Sequence, residues 1–287
     1  MFSEFEERFL LFEKPFQTIF CKLRHNRQNR MDFQTIRPEE SLSLMVKDIW
    51  LIEQVENSST NSTLPFFADG YPGLMFQQTE NGLTVMPHDK QMPVLFLYGQ
   101  TVQPIELRIS GTYQLIVFRL YPFVLRSFFG VNPSVLKDDC YDLLKLTFAD
   151  VPTLNAELLS LSVAEQRIAK ISTFLECLFL SKAARIDTRV RQAIEMIVAA
   201  KGQTDINEVQ SEMNLNKRTL ERKFLAEVGL SPKQFAKIIQ FYASWEQLAV
   251  KDFEKLTDIA YENGFADQSH FIKVFKAFTG KTPKTFK

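Results

Sequence analysis

The stretch Leu256-Thr-Asp-Ile259-Ala260, then Gly264-Phe265, Asp267-Gln-Ser-His-Phe271-Ile-Lys273-Val-Phe275 and Gly280-Lys-Thr282-Pro283, decides the fold, because it is written twice. The earlier copy runs Ile206-Asn-Glu-Val209, Asn216-Lys-Arg-Thr-Leu220-Glu-Arg222-Lys-Phe224 and Gly229-Leu-Ser231-Pro232. From position 216 onward matching residues lie 51 apart; before it the offset is 50, so one turn is a residue longer.

Each copy reads as two helices around a tight turn. In the second, Gly264 supplies a left-handed turn at no steric cost and Phe265 plugs the corner. Asp267 is an N-cap whose carboxylate accepts from backbone N–H groups of the next helix. Phe271, Val274, Phe275 and Phe278 then face one way, with Gln268, Ser269, Lys273 and Lys276 mostly elsewhere. The first copy repeats the logic, with Asn216 as cap, Leu220 and Phe224 inward, and Lys217, Arg218, Glu221 and Arg222 outward. Asn214 stands near the place of Gly264, and asparagine tolerates left-handed geometry. Ser231-Pro232 starts a helix running to about Lys251, whose apolar face (Phe235, Ile238, Ile239, Tyr242, Trp245, Leu248) ties the copies together. One short helix-turn-helix match is often accidental packing of two helices; two registered copies are a much stronger signal. Two such units on one rigid linker can enter successive major grooves of duplex DNA, about 34 Å apart. Arg, Lys, Gln, Ser and His can bond base edges there, while flanking cations hold phosphates.

The residues Leu220-x-Arg222-x-Phe224, Gly229-x-Ser231-Pro232, Ile259-Ala260, Gly264-Phe265-x-Asp267-x-Ser269-x-Phe271, Phe275-Lys276 and Gly280-x-Thr282-Pro283-x-x-Phe286 carry a family pattern. It resembles the double helix-turn-helix domain of AraC/XylS-type transcription regulators, over about residues 188–287. The resemblance implies a DNA-binding regulator, in the first instance an activator. By position it assigns DNA contact to Lys217, Arg218, Glu221 and Arg222 in the first unit, and to Gln268, Ser269, His270 and Lys273 in the second. Two positions depart from the pattern. Gln210 replaces an expected small residue, which predicts a less regular first turn. Glu221 puts an acid on a DNA-facing helix, to accept from a cytosine amino group or pair with a neighbouring cation.

Working outward, 287 residues suffice for about two domains. The formal net charge is zero, but from Arg189 onward 16 Lys/Arg face 12 Asp/Glu, leaving 18 and 22 before it. That asymmetry has the sign of a basic C-terminal module. No apolar run approaches the roughly 20 residues of a membrane helix. Glu4, Glu6, Glu7, Glu13 and Lys14 interrupt the stretch where a secretory signal needs continuity. The three cysteines (Cys21, Cys140, Cys177) are scattered, which fits a reducing cytoplasm rather than a disulfide framework or zinc site. His270 has only His25 and His88 as fellow histidines, so it reads as a helix-face residue; neither metal nor cofactor is expected.

Residues 1–30 carry a stripe of Phe2, Phe5, Phe9, Phe12 and Phe16 interrupted by Pro15. Two readings stay open: sequence outside the fold, with the domain starting at Met31, or an arm that docks elsewhere. Residues 31–185 form the next unit. A short helix feeding a strand is expected in 42–53, then a polar loop at 54–63 and a turn at 68–73. Apolar runs follow at 74–76, 83–85, 93–98, 105–109 and 113–120. Short β-branched and aromatic runs at close spacing predict an antiparallel barrel or sandwich. A helix follows at 123–129, and a stripe of Ile168, Ile171, Phe174, Leu175 and Leu178 marks another. Packing on the barrel is the simpler account of that stripe, and a dimer seam the sharper one. The fold class expected is α+β with two domains: an antiparallel, cupin-like β-barrel with flanking helices, then an all-α double helix-turn-helix at 186–287.

The first domain looks loosely like the cupin-like sensing or dimerisation domains of the same family. Trp50, Phe76, Phe96, Tyr98 and Phe118, assigned to inward strand faces, are the candidate effector contacts; ordinary barrel core is the favoured account of them. The expected partners are double-stranded DNA, RNA polymerase, a small-molecule effector and a second copy of the chain, with no membrane. A rival class, a repair-type enzyme targeted by the same module, needs an activated nucleophile. None of the cysteines has a Pro-Cys-His setting, and no Gly-rich phosphate loop occurs. A regulator whose first domain is purely structural is the third reading.

Overall fold

The computed structural model describes residues 31–54, 61–147, 150–182, 186–250 and 252–286. The Phe stripe of 1–30 and Cys21 lie outside the described residues, as do 55–60 of the polar loop and 183–185 between the two expected domains.

Strand patterning builds the first domain. Strands β1 (Met31–Ile36), β2 (Val46–Gln54), β4 (Gly73–Thr79), β7 (Leu95–Tyr98), β9 (Tyr113–Leu120) and β10 (Cys140–Asp142) form one antiparallel sheet, in the order β1-β2-β9-β4-β7-β10. Strands β3 (Asn61–Phe66), β5 (Leu83–Met86), β6 (Lys90–Gln91) and β8 (Ile105–Ser110) form a second, in the order β3-β8-β5-β6. In β8, buried Ile105, Leu107 and Ile109 alternate with more exposed Glu106, Arg108 and Ser110, the mark of a sheet with one wet face. Strand β9 is buried almost throughout, because its sheet is covered on both sides. The expected β-rich domain is present as two sheets, and their ladders do not close into a continuous barrel.

Register decides which side chains look into the space between the sheets. Trp50, Val117, Met75 and Phe96 are paired in one row across β2, β9, β4 and β7, while Ile49, Phe118, Leu74 and Leu97 form the adjacent row. Adjacent rows point to opposite faces. On the outer face lies α3 (Ala164–Lys182), which follows the short helices α1 (Val124–Ser127) and α2 (Val151–Ser160). Arg167 of α3 lies 5.2 Å over the Phe76 ring and donates to Gln114 of β9 and to the Leu158 carbonyl, the latter at 3.1 Å. Ile168, Ile171, Leu175 and Leu178 are buried within the chain, as packing on the sheet requires.

Three details differ from expectation. The helix expected near 42 is only a three-residue 3-10 turn, Glu40–Leu42; Val46, Ile49, Trp50 and Ile52 favour a pleated surface instead. Strand β3 emerges from the end of the polar loop, with Ser62, Leu64 and Phe66 alternating inward. Helix α2 follows an Asp150 cap that accepts from Thr153 N–H at 3.2 Å.

The C-terminal helices are α4 (Thr188–Ala199), α5 (Ile206–Glu212), α6 (Lys217–Val228), α7 (Pro232–Val250), α8 (Leu256–Glu262) and α9 (Gln268–Thr279). Helix α7 opens with a reciprocal cap: Gln234 N–H donates to Ser231 Oγ at 3.2 Å, and Ser231 N–H to Gln234 Oε1 at 3.1 Å.

Glu246 of α7 is buried among Arg119, Lys47, Lys201 and Tyr242. Burial pushes its carboxyl well above the usual range, although the neighbouring cations pull the other way. A raised carboxyl contributes stability below its unfolded value, near 4.5, and that contribution is lost as pH rises toward the folded value. Glu246→Gln, which has no proton to lose, is therefore expected to melt several degrees higher than wild type at about pH 8 and no higher at about pH 4. Thermal melts at both values check this; an equal shift at both would contradict it.

Candidate nucleic-acid interface

The two copies fold alike. Helices α5 and α8 each have 7 residues, and α6 and α9 each have 12. Asn216 accepts from Thr219 N–H at 2.9 Å and Asp267 from His270 N–H at 2.7 Å, so both caps form as the sequence predicts. Asn214 takes a left-handed conformation at φ 49°, matching Gly264 at 71°. The turns share their backbone bonds. Leu215 N–H donates to the Gln210 carbonyl at 3.1 Å, as Phe265 N–H does to that of Ala260 at 2.8 Å. The irregularity expected at Gln210 is therefore absent; its side chain is half-buried and leaves the backbone turn alone. The extra residue of the second turn is Ala266, between the corner residue and the cap.

Apolar residues set each helix's angle. Leu220, Phe224 and Val228 bury one face of α6, and Phe271, Val274, Phe275 and Phe278 that of α9. What remains outside is the assigned set. Lys217, Arg218, Glu221, Arg222, Ser269, His270 and Lys273 are exposed, and Gln268 is half-buried. The side chains of Lys217, Arg218, Glu221 and Arg222 form no hydrogen bond or ion pair with any described residue, and Glu221 does not pair with its neighbours. His270 rests edge-on against Phe265, ring centroids 5.6 Å apart, which fixes its direction. Lys223, by contrast, is tied to Asp187, the α4 cap, at 2.5 Å. Surface-facing cations with no internal partner, on helix N-terminal halves, are what phosphate and base contact require.

The five candidate effector aromatics do not converge. A cavity of about 460 Å³ lies between the sheets, walled by Phe66, Met75, Met92, Phe96, Ile105 and Leu107. Phe96 and Tyr98 line it, and the buried Tyr98 hydroxyl has no hydrogen-bond partner among the described residues. Phe76 and Phe118 are in rows of the opposite parity, one residue off the inward register. Trp50 lies in the inward row but sits under the Arg119 guanidinium, 4.2 Å from its ring centre, and not on the cavity wall. Strand parity separates these cases, but only once the pairing is known.

Burial pushes the Cys140 thiol up, opposite to the shift nucleophilic chemistry needs, while Lys90 partly offsets it. Among the described residues no helix is long and apolar enough to cross a membrane.

Two helix-turn-helix units carried on one linker helix define a double helix-turn-helix domain, a DNA-binding class. Residues 209–287 match the family model described as a helix-turn-helix domain, and the C-terminal domain belongs to the AraC/XylS type. Residues 34–142 match a model described as a domain of unknown function (DUF6597). The HTH-type transcriptional activator RhaS of Klebsiella pneumoniae (strain 342) is 33% identical over 69 residues, 24% of each chain. RhaS of Yersinia pestis (strain Pestoides F) is 31% identical over 77 residues, 27% of this chain and 28% of the relative. The chain thus spans about a quarter of these two relatives, and 11% of other regulators it matches. A solved structure of ToxT from Vibrio cholerae aligns over 90% of this chain and 97% of its own, at 14% identity and a TM-score of 0.45.

Proposed function

We propose that the chain is a sequence-specific, double-stranded-DNA-binding transcription regulator that works in the cytoplasm as an activator. In this reading α6 and α9 enter successive major grooves, and the first domain senses a small effector in the cavity between its sheets. The observation that carries the proposal is the duplicated reader, with two 12-residue helices capped alike and each presenting exposed polar and cationic side chains. Lys217, Arg218, Glu221 and Arg222 read one groove, and Gln268, Ser269, His270 and Lys273 the other; as an activator, the protein would touch RNA polymerase beside its operator. Pairing of two copies would double the site. The exposed Leu180, near the end of helix α3, is a candidate contact for it.

Selection of duplexes from a random pool with the full chain tests the reading. Two short conserved blocks about 10 base pairs apart are expected, one for each helix. Enrichment of a single block, or none, would overturn it. On the selected duplex, Arg222→Ala and Lys273→Ala are each expected to weaken binding by about 1–3 kcal/mol. Loss of a phosphate contact would also flatten the salt dependence by about 0.9 in log K against log salt. Titration across salt concentrations checks both, and unchanged affinity in both variants would remove α6 and α9 from the interface.

A further inference from the structure

We propose that the segment from Pro133 to Cys140 is a relay, which couples occupancy of the cavity between the sheets to the seating of the first DNA-reading helix, α6. This rests on the reading of the chain as a ligand-responsive DNA-binding regulator and names the path by which the two sites communicate.

One end of the segment belongs to the cavity. Lys137, Asp138, Asp139 and Cys140 form part of its wall, opposite the apolar side chains of β5 and β8. This end is strapped to the neighbouring wall, residues 99–103. Gly99 N–H donates to the Asp139 carbonyl at 3.2 Å, and Asp138 N–H to the Gln100 carbonyl at 3.0 Å. The Asp138 carboxylate accepts from Val102 and Gln103 N–H at 2.6 and 3.0 Å. Those bonds hold Asp138 at φ 54°, a conformation uncommon outside glycine. There is no slack inward either: a Cβ on Gly99 would lie 2.2 Å from the Leu136 carbonyl oxygen. A molecule entering the cavity and pressing on this wall must move the segment as a unit.

The other end is the seat of α6. Gly229, the left-handed C-cap of α6, lies so close that a Cβ there would be 2.7 Å from the Pro133 carbonyl. Ser134 Oγ donates to the Leu225 carbonyl at 3.2 Å. Beside them Arg126 pairs with Glu227 at 3.2 Å and donates to the Ala226 carbonyl at 3.4 Å. All these contacts grip the C-terminal turn of α6, while its base-facing residues sit in the first two turns. A helix of 12 residues is about 18 Å long, so a small shift at the gripped end swings the reading end. The second reader lacks this grip: at the matching Gly280 a Cβ would meet only the Pro104 ring, at 3.7 Å. Occupancy should therefore reposition one reader against the other, and so change which half-site spacing is bound.

The cavity walls are mostly apolar, with His88, Lys90 and Lys137 among the polar side chains that line it. The matching ligand is an apolar or aromatic molecule bearing a polar or anionic group, and anilinonaphthalene sulfonate, aromatic rings with one sulfonate, is a suitable probe. Its fluorescence would be titrated on the full chain with and without the selected duplex. In wild type the duplex should change probe affinity at least about fivefold, with the same factor when the order of addition is reversed. Ser134→Ala combined with Arg126→Ala unfastens α6 without touching a base-facing residue. In that variant each affinity should persist while the factor falls to one. Leu107→Trp fills the cavity and should abolish probe binding; Val85→Phe does the same should the larger side chain prevent folding. A wild-type factor of one, a factor unchanged in the double variant, or probe binding that ignores the filled cavity would each overturn the relay. Failure of the full chain to select any duplex would instead sink the DNA-binding reading itself, and the relay with it.

Discussion

Phe275→Ala is expected to destabilise the C-terminal domain by about 3–5 kcal/mol, a large share of the roughly 5–15 kcal/mol that a whole domain has to lose. Phe275 is fully buried, and its ring centroid lies 5.6 Å from Phe241, 5.4 Å from Trp245, 5.6 Å from Phe271 and 5.7 Å from Phe286. Truncation therefore opens a space bordered by four rings on two helices, α7 and α9, and the final turn, none of which can collapse inward alone. Its counterpart Phe224 is equally buried, but pairs with one ring, Phe235 at 5.6 Å. Phe224→Ala should accordingly cost less. Guanidinium unfolding followed by helical circular dichroism would rank the two. A cost below about 1 kcal/mol for Phe275→Ala, with duplex binding intact, would show that the ring cluster is not what holds the second unit.

The C-terminal domain was legible because its signals are local. A cap needs one side chain and the N–H two or three residues on; Asn216 and Asp267 both form as read. A left-handed turn residue declares itself by type, and Asn214 at φ 49° follows from the same reasoning as Gly264. Where a local signal misled, at Gln210, the turn's bonds are made by backbone groups that do not depend on that side chain. The first domain was legible only by class. Alternating runs such as 105–109 and 113–120 gave their strands, but pairing between residues 50 and 117, or 75 and 96, is a long-range fact. The cavity suffered most, because a slip of one residue exchanges faces: Phe76 and Phe96 look equivalent in the chain and point to opposite sides of their sheet. The 133–140 segment has no periodic pattern at all; its contacts with 99–103 are long-range within the first domain, and those with α6 arise from the packing of two domains.

Arg119→Met is expected to cost about 3–5 kcal/mol at neutral pH, through what it leaves behind. The guanidinium is 3% exposed and donates to Asp48 through Nε at 2.7 Å and through a second, shorter bond, and to Asp69 at 3.1 Å. It also lies 4.2 Å over Trp50 and 5.3 Å over Tyr71. Removing it strands two carboxylates, 5% and 3% exposed, in a site that excludes water. Burial already pushes the Asp69 carboxyl up, with Arg119 pulling it back. Without that pull Asp69 should protonate to stay folded. The variant should then be most stable in acid and lose stability as pH rises through the range where unfolded aspartates ionise, near 3.8. Adding Asp48→Leu and Asp69→Asn removes both stranded charges; Asn keeps an acceptor for the Tyr71 N–H that Asp69 bonds at 2.9 Å. The triple variant should regain most of the loss and its pH dependence should flatten, because a buried ion pair contributes little beyond its own desolvation. Urea unfolding at several pH values, read on Trp50 fluorescence in a Trp245→Phe background, separates these outcomes. A single variant as stable as wild type at neutral pH, or a triple variant no better than the single, would mean that the cluster's charges are solvated rather than buried at the junction with α7.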